Sequence, residues 1–313
     1  WQYGGGLYAY NGYVLISNST VTNNTAEYGG GAYALNGGVE ITGASEMTGN
    51  AASYSGGALY AANGLVKMFG GAVANNTAAY GAVYIGSGTG SFSGGEIRDN
   101  EAEYGGGIYV QAGSIALGEG FSITGNTAEV SGGAVYCQEG GMSIYGAVIS
   151  GNTAVYGGAA YGGSGNMEIS EGTVFGNRAE FGGAVYLSGG TMVVNGGAIR
   201  GNTAVTSGGA IYTDVGVVQV MGGRIRNNTA TYGGAVMANM GDIFVFAGVV
   251  SGNEAVMGGA MYTATGNVTV NGGRVTGNTA AVSGGGAYTE EGEVYDNAEA
   301  IFSNSPDDVA QPQ

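Results

Sequence analysis

The sequence predicts an all-β protein, a single-domain right-handed parallel β-helix (β-solenoid) of about twelve coils with roughly 25-residue repeats. Three observations lead to this prediction. A glycine-rich unit, seen at residues 181–186, recurs once per period, an Asn recurs at its own place, and a third segment alternates apolar with polar residues. No segment between them has helical periodicity. The β-helix is expected to cover residues 1–300, and a polar C-terminal tail residues 301–313.

The glycine-rich unit combines a Gly-Gly pair with a small residue, an apolar residue and Tyr, as in Gly183-Ala184-Val185-Tyr186. The glycines suit a corner that needs positive φ. If Val185 and its counterparts fill the core, the alternation of a strand turns Tyr outward. This predicts an exposed stripe of stacked Tyr as a candidate binding surface, while an inward aromatic core stack remains the alternative. The stripe residues are Tyr109, Tyr136, Tyr161, Tyr186 and Tyr212.

The alternating segment has the two-residue period of a strand with one buried face, as in Val218-Gln219-Val220 and Val268-Thr269-Val270. Together with the segments on either side of the recurring Asn, it gives each period three short strands separated by Gly or Asn turns. Three strands per period and no helices favour a parallel β-helix over other repeat folds.

The recurring Asn predicts a structural ladder. Its amide carries both donors and an acceptor, so stacked Asn residues can bond to one another while they cap a turn. An apolar residue lies three positions before each Asn, and Ala lies two positions after it. The ladder residues are Asn24, Asn50, Asn76, Asn100, Asn126, Asn152, Asn177, Asn202, Asn228, Asn253 and Asn278.

The composition of the chain excludes some classes of binding partner. The chain has 7 Lys and Arg against 23 Asp and Glu, a net charge of -16, and the cations are scattered along the sequence. Nucleic acid is therefore not an expected partner, because phosphate binding needs clustered cations. No apolar run reaches the length that spans a bilayer, so direct membrane insertion is not expected either. The single Cys137 is expected to be a buried, inert thiol.

Catalysis has one candidate site. The chain has no His, the commonest general base, but glycoside hydrolysis needs only two carboxyl groups. The densest acidic group is Glu96, Asp99, Glu101 and Glu103, with Glu129 one coil further on. We interpret these as solvated turn residues and expect no enzymatic activity, no catalytic residues, no cofactor and no metal.

Asn-x-Ser/Thr sequons make N-glycosylation possible at five positions. They are Asn18, Asn23, Asn75, Asn227 and Asn267.

Two motifs carry a family resemblance. Gly133-Ala134-Val135 and Gly209-Ala210-Ile211, together with Ile123-Thr124-Gly125-Asn126, resemble the repeats of the chlamydial polymorphic outer membrane proteins. More broadly, the chain is similar to β-helical autotransporter passengers and surface adhesins. The resemblance implies an extracellular or cell-surface location and an adhesive or structural role. The implied partners are other copies of the chain, or glycans or proteins of host or cell surfaces.

The preferred hypothesis is a non-enzymatic extracellular β-solenoid that presents repeated surface columns for adhesion or assembly. A first alternative is a filament or surface-layer subunit that stacks end to end, since the chain opens at Trp1 already inside a coil and reads as a processed chain or a fragment. A second alternative is a carboxylate-based enzyme that degrades polysaccharides.

Overall fold

The computed structural model describes residues 2–311 of the chain; Trp1, on which the filament hypothesis drew, lies outside them. Within these residues the protein is all β, without a helix. The chain divides into two compact units, Trp1–Ala154 and Val155–Gln313, a division that the repeat pattern does not predict. Each unit is a β-solenoid of stacked parallel coils, and the two together hold about 12 turns of ~25 residues. This confirms the predicted fold class, while the right-handed winding stays a prediction.

The first unit repeats one long strand and two short ones in each coil. The long strands follow the Gly-Gly corners: β1 (Leu7–Ser17), β4 (Ala32–Thr42), β7 (Leu59–Met68), β10 (Val83–Phe92), β13 (Ile108–Gly118) and β16 (Val135–Ser150). The strands before the ladder Asn are β2 (Thr20–Thr22), β5 (Glu46–Thr48), β8 (Ala72–Ala74), β11 (Gly95–Arg98) and β14 (Phe121–Thr124). Those after it are β3 (Thr25–Tyr28), β6 (Ala51–Ser55), β9 (Thr77–Tyr80), β12 (Glu101–Tyr104) and β15 (Thr127–Ser131).

The second unit has the same plan with more interruptions. Strands that follow the corners are β17 (Ala160–Gly162), β20 (Val185–Val194), β23 (Ile211–Val220), β25 (Val236–Met240), β29 (Met261–Thr263), β33 (Ala287–Thr289) and β36 (Val309–Ala310). The alternating segments add β18 (Met167–Phe175), β26 (Ile243–Val245), β30 (Val268–Val270) and β34 (Val294–Asp296). Before the ladder Asn lie β21 (Ala198–Arg200), β24 (Arg224–Arg226), β27 (Val249–Ser251), β31 (Arg274–Thr276) and β35 (Ile301–Phe302), and after it β19 (Arg178–Phe181), β22 (Thr203–Ser207), β28 (Glu254–Met257) and β32 (Thr279–Ser283).

Equivalent residues of successive coils lie side by side. In the first unit Tyr33 pairs with Tyr60 and Gly37 with Gly64, and in the second Tyr186 pairs with Tyr212. The apolar residues on one face of each strand therefore form continuous columns in the core, such as Ile97 and Ile123, both fully buried. Burial of these columns is the main favourable term for a stack of coils that cannot bury its faces alone.

Strands are also present beyond residue 300. β35 pairs with β31, and β36 pairs with β33. Asn304 continues the ladder by accepting from Asn278. The residues expected to form a polar tail therefore include part of the solenoid.

Candidate contact surfaces

The Tyr residues after the Gly-Gly corners form a stack in each unit. In the first unit the ring centroids of Tyr33 and Tyr60 lie 5.0 Å apart, those of Tyr60 and Tyr84 4.5 Å, and those of Tyr109 and Tyr136 4.9 Å, with interplanar angles of 3° to 4°. The coil spacing imposes this stacking, because equivalent residues of neighbouring parallel strands lie about 4.8 Å apart.

The second unit stacks the same column with one substitution. The rings of Tyr161 and Tyr186 lie 5.2 Å apart, and those of Tyr186 and Tyr212 4.9 Å apart. Met237 takes the next place and packs with Tyr212 in the same buried cluster. A flexible thioether fills the gap that the missing ring leaves.

A second aromatic column runs beside the first. It occupies the end of the strand after the ladder Asn, and its rings meet the first column edge to face: Tyr80 and Tyr109 at 5.2 Å and 76°, Tyr156 and Tyr186 at 5.2 Å and 74°. Edge-to-face pairs of this kind add about 0.5–1.5 kcal/mol beyond the area they bury. The sequence analysis missed this column, whose members are Tyr28, Tyr54, Tyr80, Tyr104, Tyr156, Phe181, Tyr232 and Met257.

The two columns together form a surface that we call the aromatic band. Val185 and Leu187 are buried in the core on either side of Tyr186, so the first column does leave the strand on its outer face. However, Tyr109 is only 6% exposed and Tyr212 only 8%. The expectation of an exposed Tyr stripe is therefore wrong for these two rings, because the second column covers them, while Tyr136, Tyr161 and Tyr186 are half-buried. The outermost rings are those of the second column, of which Tyr54 is exposed.

Burial raises the pKa of several phenol groups in the first column of the band. Burial first, and then neighbouring Tyr rings, raise the pKa of Tyr33 to about 12. Burial also raises the pKa of Tyr109 well above its usual value, and its hydroxyl donates to Gln138 Oε1 at 2.6 Å. Tyr84 makes the same bond to Gln111. A shallow depression of about 200 Å³ lies here, lined by both columns and by the two Gln amides. Aromatic faces next to amide groups can stack on a sugar ring and bond to its hydroxyls.

The ladder Asn residues are buried and hydrogen-bonded. Asn126 Oδ1 accepts from the backbone N–H and the Nδ2 of Asn100, at 3.0 and 2.9 Å. Its own Nδ2 donates to the carbonyls of Ile97 and Thr124 and to Asn152 Oδ1. The same pattern recurs in the second unit from Asn202 to Asn228 and Asn253. The side chains serve the fold, since bonding uses the amide fully and leaves no group for a ligand.

The residue just before each ladder Asn has positive φ. It is Gly in most coils, as at Gly151 (φ 65°), and Asn or Asp in the others, as at Asn23 (φ 56°) and Asp99 (φ 55°). Only Gly, Asn and Asp adopt this conformation readily. An Asn there precedes Asn-Thr, so the backbone requirement itself accounts for the sequons at Asn23, Asn75 and Asn227. These three and Asn18 are exposed, and Asn267 is half-buried; their modification stays a prediction.

The acidic candidates fall into two groups. Glu96 and Asp99 both bind Arg98, at 2.7 and 3.1 Å. Glu101, Glu103 and Glu129 line a separate open depression of about 420 Å³, whose other walls are mostly Ala, Ser and Thr. Residues 2–311 contain no group of three or more Asp, Glu or Cys placed to hold a metal ion. The same residues include no helix long and apolar enough to cross a membrane.

Architecture and repeat chemistry define the class: the chain is a β-solenoid repeat protein. Residues 120–138 match the model of the Chlamydia polymorphic membrane protein repeat. The matched segment contains a ladder Asn, the strand after it and a Gly-Gly corner, which are the motifs on which the resemblance rests. The chain thus fits a β-helical repeat protein of the polymorphic outer membrane protein type, and a surface protein of the adhesin-like kind. No curated protein and no solved structure matches it significantly.

Proposed function

We propose that this chain is a non-enzymatic, extracellular β-solenoid that makes adhesive contacts through its aromatic band. The observation that carries the proposal is the band itself, in which half-exposed rings of the second column cover rings of the first in each unit, as Tyr80 covers Tyr109 and Phe181 covers Tyr212. Rigid aromatic rings supply contact area at a small entropic cost, which is why they are frequent in binding surfaces. The cell-surface setting comes from the matched repeat.

The band suits glycan or protein partners. Its edge carries phenol hydroxyls and Gln amides, so a partner meets aromatic faces and hydrogen-bonding groups together. A panel of immobilised glycans and surface proteins would test the proposal. Binding should fall when Tyr54 and Tyr80 are replaced by Ser. It should persist when Tyr145 and Tyr295, which are also exposed but lie outside the band, are replaced in the same way. Equal losses in both double variants would refute the role of the band.

The absence of catalysis is part of the proposal. It is supported by the ion pairs of Glu96 and Asp99 with Arg98, which separate them from the open depression around Glu129. Neutral and acidic polysaccharides should yield no new reducing ends or unsaturated products on incubation with the protein. Product release that disappears in Glu103→Gln or Glu129→Gln would overturn the proposal in favour of a carboxylate enzyme.

End-to-end stacking is disfavoured at one end of the second unit. Asp308 Oδ1 accepts from the backbone N–H and the Nδ2 of Asn304, at 2.8 and 2.9 Å, so it takes the place that the next ladder Asn would hold. Asp307 likewise accepts from the N–H of Gly284 and Gly285. A second copy would have to displace both carboxylates. Light scattering over a concentration series should therefore show no filament growth.

A further inference from the structure

Four of the seven cationic side chains meet on one face of the second unit, which we call the arginine face. Arg200, Arg224, Arg226 and Arg274 lie on β21, β24 and β31, strands of the same kind in successive coils. Arg200 pairs with Arg226, and Arg224 and Arg274 both pair with Val249 between them. These four cations are scattered along the sequence but clustered in space. The sequence analysis took the scatter of the cations as a reason against nucleic acid, and that reason is wrong for these four.

Strand geometry sets the spacing of these charges. The Cα atoms of Arg200 and Arg226 are one strand spacing apart, about 4.8 Å, and those of Arg224 and Arg274 are two spacings apart, about 9.6 Å. Ile225 between Arg224 and Arg226 is fully buried, so both flanking side chains point outward. The cations therefore form two short rows that run along the stack of coils.

The arginine face has no acidic partner of its own. The strands β21, β24, β27 and β31 contain no Asp or Glu. Among the described residues, none of these four guanidinium groups has a carboxylate within ion-pair distance, in contrast to Arg98. Arg224, Arg226 and Arg274 are exposed. In a chain of net charge -16 the arginine face gathers four of the seven cationic side chains, which together can attract an anion.

A trough lies beside the two rows. It is an open depression of about 600 Å³ with a floor of four stacked glycines and walls that include Arg224 and Val249; the glycines are Gly172, Gly197, Gly223 and Gly248. All four have positive φ, and a Cβ on Gly223 would lie 2.5 Å from the carbonyl oxygen of Gly196, so larger residues are excluded. An extended chain can lie in this trough along the stack of coils.

We propose that the arginine face binds a linear polyanionic polysaccharide, sulfated or rich in uronate, which lies along the trough. The guanidinium fork binds a sulfate or a carboxylate through two parallel hydrogen bonds. A polymer with one anion per repeat unit can meet Arg200 and Arg226 on neighbouring coils, and Arg224 and Arg274 two coils apart. This site lies on strands other than those that carry the aromatic band.

The rings near the arginine face favour a glycan over single-stranded nucleic acid. Nucleic acid needs free aromatic faces on which its bases stack. Two rings beside the arginine face, Phe175 and Phe302, are each already covered by a guanidinium: Arg200 at 4.5 Å and Arg274 at 5.5 Å from the ring centroid. These contacts hold the two arginines in place and leave their N–H groups for anions.

Heparin, a sulfated polysaccharide, is the probe for the test. The protein should bind immobilised heparin at low salt and release it as salt rises, and it should ignore neutral dextran. Arg224→Ser with Arg226→Ser should weaken heparin binding by at least about tenfold, because charge-assisted hydrogen bonds are lost. The control is Lys67→Ser with Arg178→Ser, which removes the same charge from positions outside the arginine face and should change binding by less than about twofold.

Three results would overturn the proposal. They are no heparin binding by the parent protein at low salt, an equal loss in the control variant, or tighter binding of an oligothymidylate than of heparin. The last would make single-stranded nucleic acid the ligand. The double variants change exposed or half-buried side chains, and their far-ultraviolet circular dichroism should match that of the parent. Loss of partner binding through the aromatic band would leave heparin binding unchanged, so the two proposals fail separately.

Discussion

Replacement of Asn126 with Ala is expected to lower the free energy of unfolding of the first unit by about 4 kcal/mol. The Asn126 side chain accepts two hydrogen bonds from Asn100, and its two Nδ2 hydrogens are shared among the carbonyls of Ile97 and Thr124 and Asn152 Oδ1, which amounts to four hydrogen bonds. Each contributes about 1 kcal/mol net. Asn126 itself is 0% exposed, so water cannot readily replace the lost bonds, and the remaining donors and acceptors stay buried without partners.

A second Asn row in the same unit provides the control. Asn63 Nδ2 donates to Asn36 Oδ1 at 3.2 Å, and its Oδ1 accepts from Ser87 at 2.8 Å, but Asn63 is exposed. Asn63→Ala should therefore cost less than about 1 kcal/mol. Urea denaturation followed by circular dichroism compares the two variants. A similar, small loss in both would show that solvent reaches the ladder and that its bonds do not stabilise the stack.

Four further outcomes are expected. Tyr109→Ala should lower the free energy of unfolding by about 3 kcal/mol, measured by urea denaturation. Tyr10→Ala removes an exposed ring and should lower it by less than about 1 kcal/mol. Because burial raises the pKa of Tyr33 from 10.0 to about 12, the unfolded chain ionises first, and the melting temperature should fall as pH rises through that interval. Gly151 has a φ of 65° and room for a side chain. Gly151→Ala should therefore lower the free energy of unfolding by about 1 kcal/mol, and Gly151→Asn by less, as measured by denaturation. Burial raises the pKa of Cys137 to about 12, so a disulfide reagent at about pH 8 should modify it only after unfolding.

The fold and the ladder could be predicted because they depend on residues that recur at one spacing. A buried Asn such as Asn126 has few structural uses at a fixed place in a strand repeat, so its periodic recurrence predicts a ladder. The burial of the Tyr column could not be predicted in the same way. The alternation of side chains along a strand predicts on which face the Tyr109 side chain lies. Whether its ring is buried depends on the second aromatic column, which comes from another part of the coil.

The second column is itself periodic, since its members lie four residues after a ladder Asn, as Tyr28 does after Asn24 and Tyr54 after Asn50. That spacing was a signal for the column that the sequence analysis did not use. Its packing on the first column was hidden, because a Gly-Gly corner separates the two columns in the sequence. The arginine face was hidden for a different reason. Its members, such as Arg200 and Arg226, recur in too few coils to show a period, and only the strand register brings them together.

The register also bears on how such a chain can change in length over evolution. Because Gly37 lies on Gly64 and Tyr33 on Tyr60, a duplicated or deleted stretch of one whole coil would present its neighbours with the same columns they already meet. Recombination between repeats could then lengthen or shorten the protein without disturbing its core. Changes of one residue already occur where neighbouring coils shift register, at the bulge between Ala102 and Tyr104 and again near Gly118. Related genes are therefore expected to differ by whole coils, with single-residue differences at such bulges.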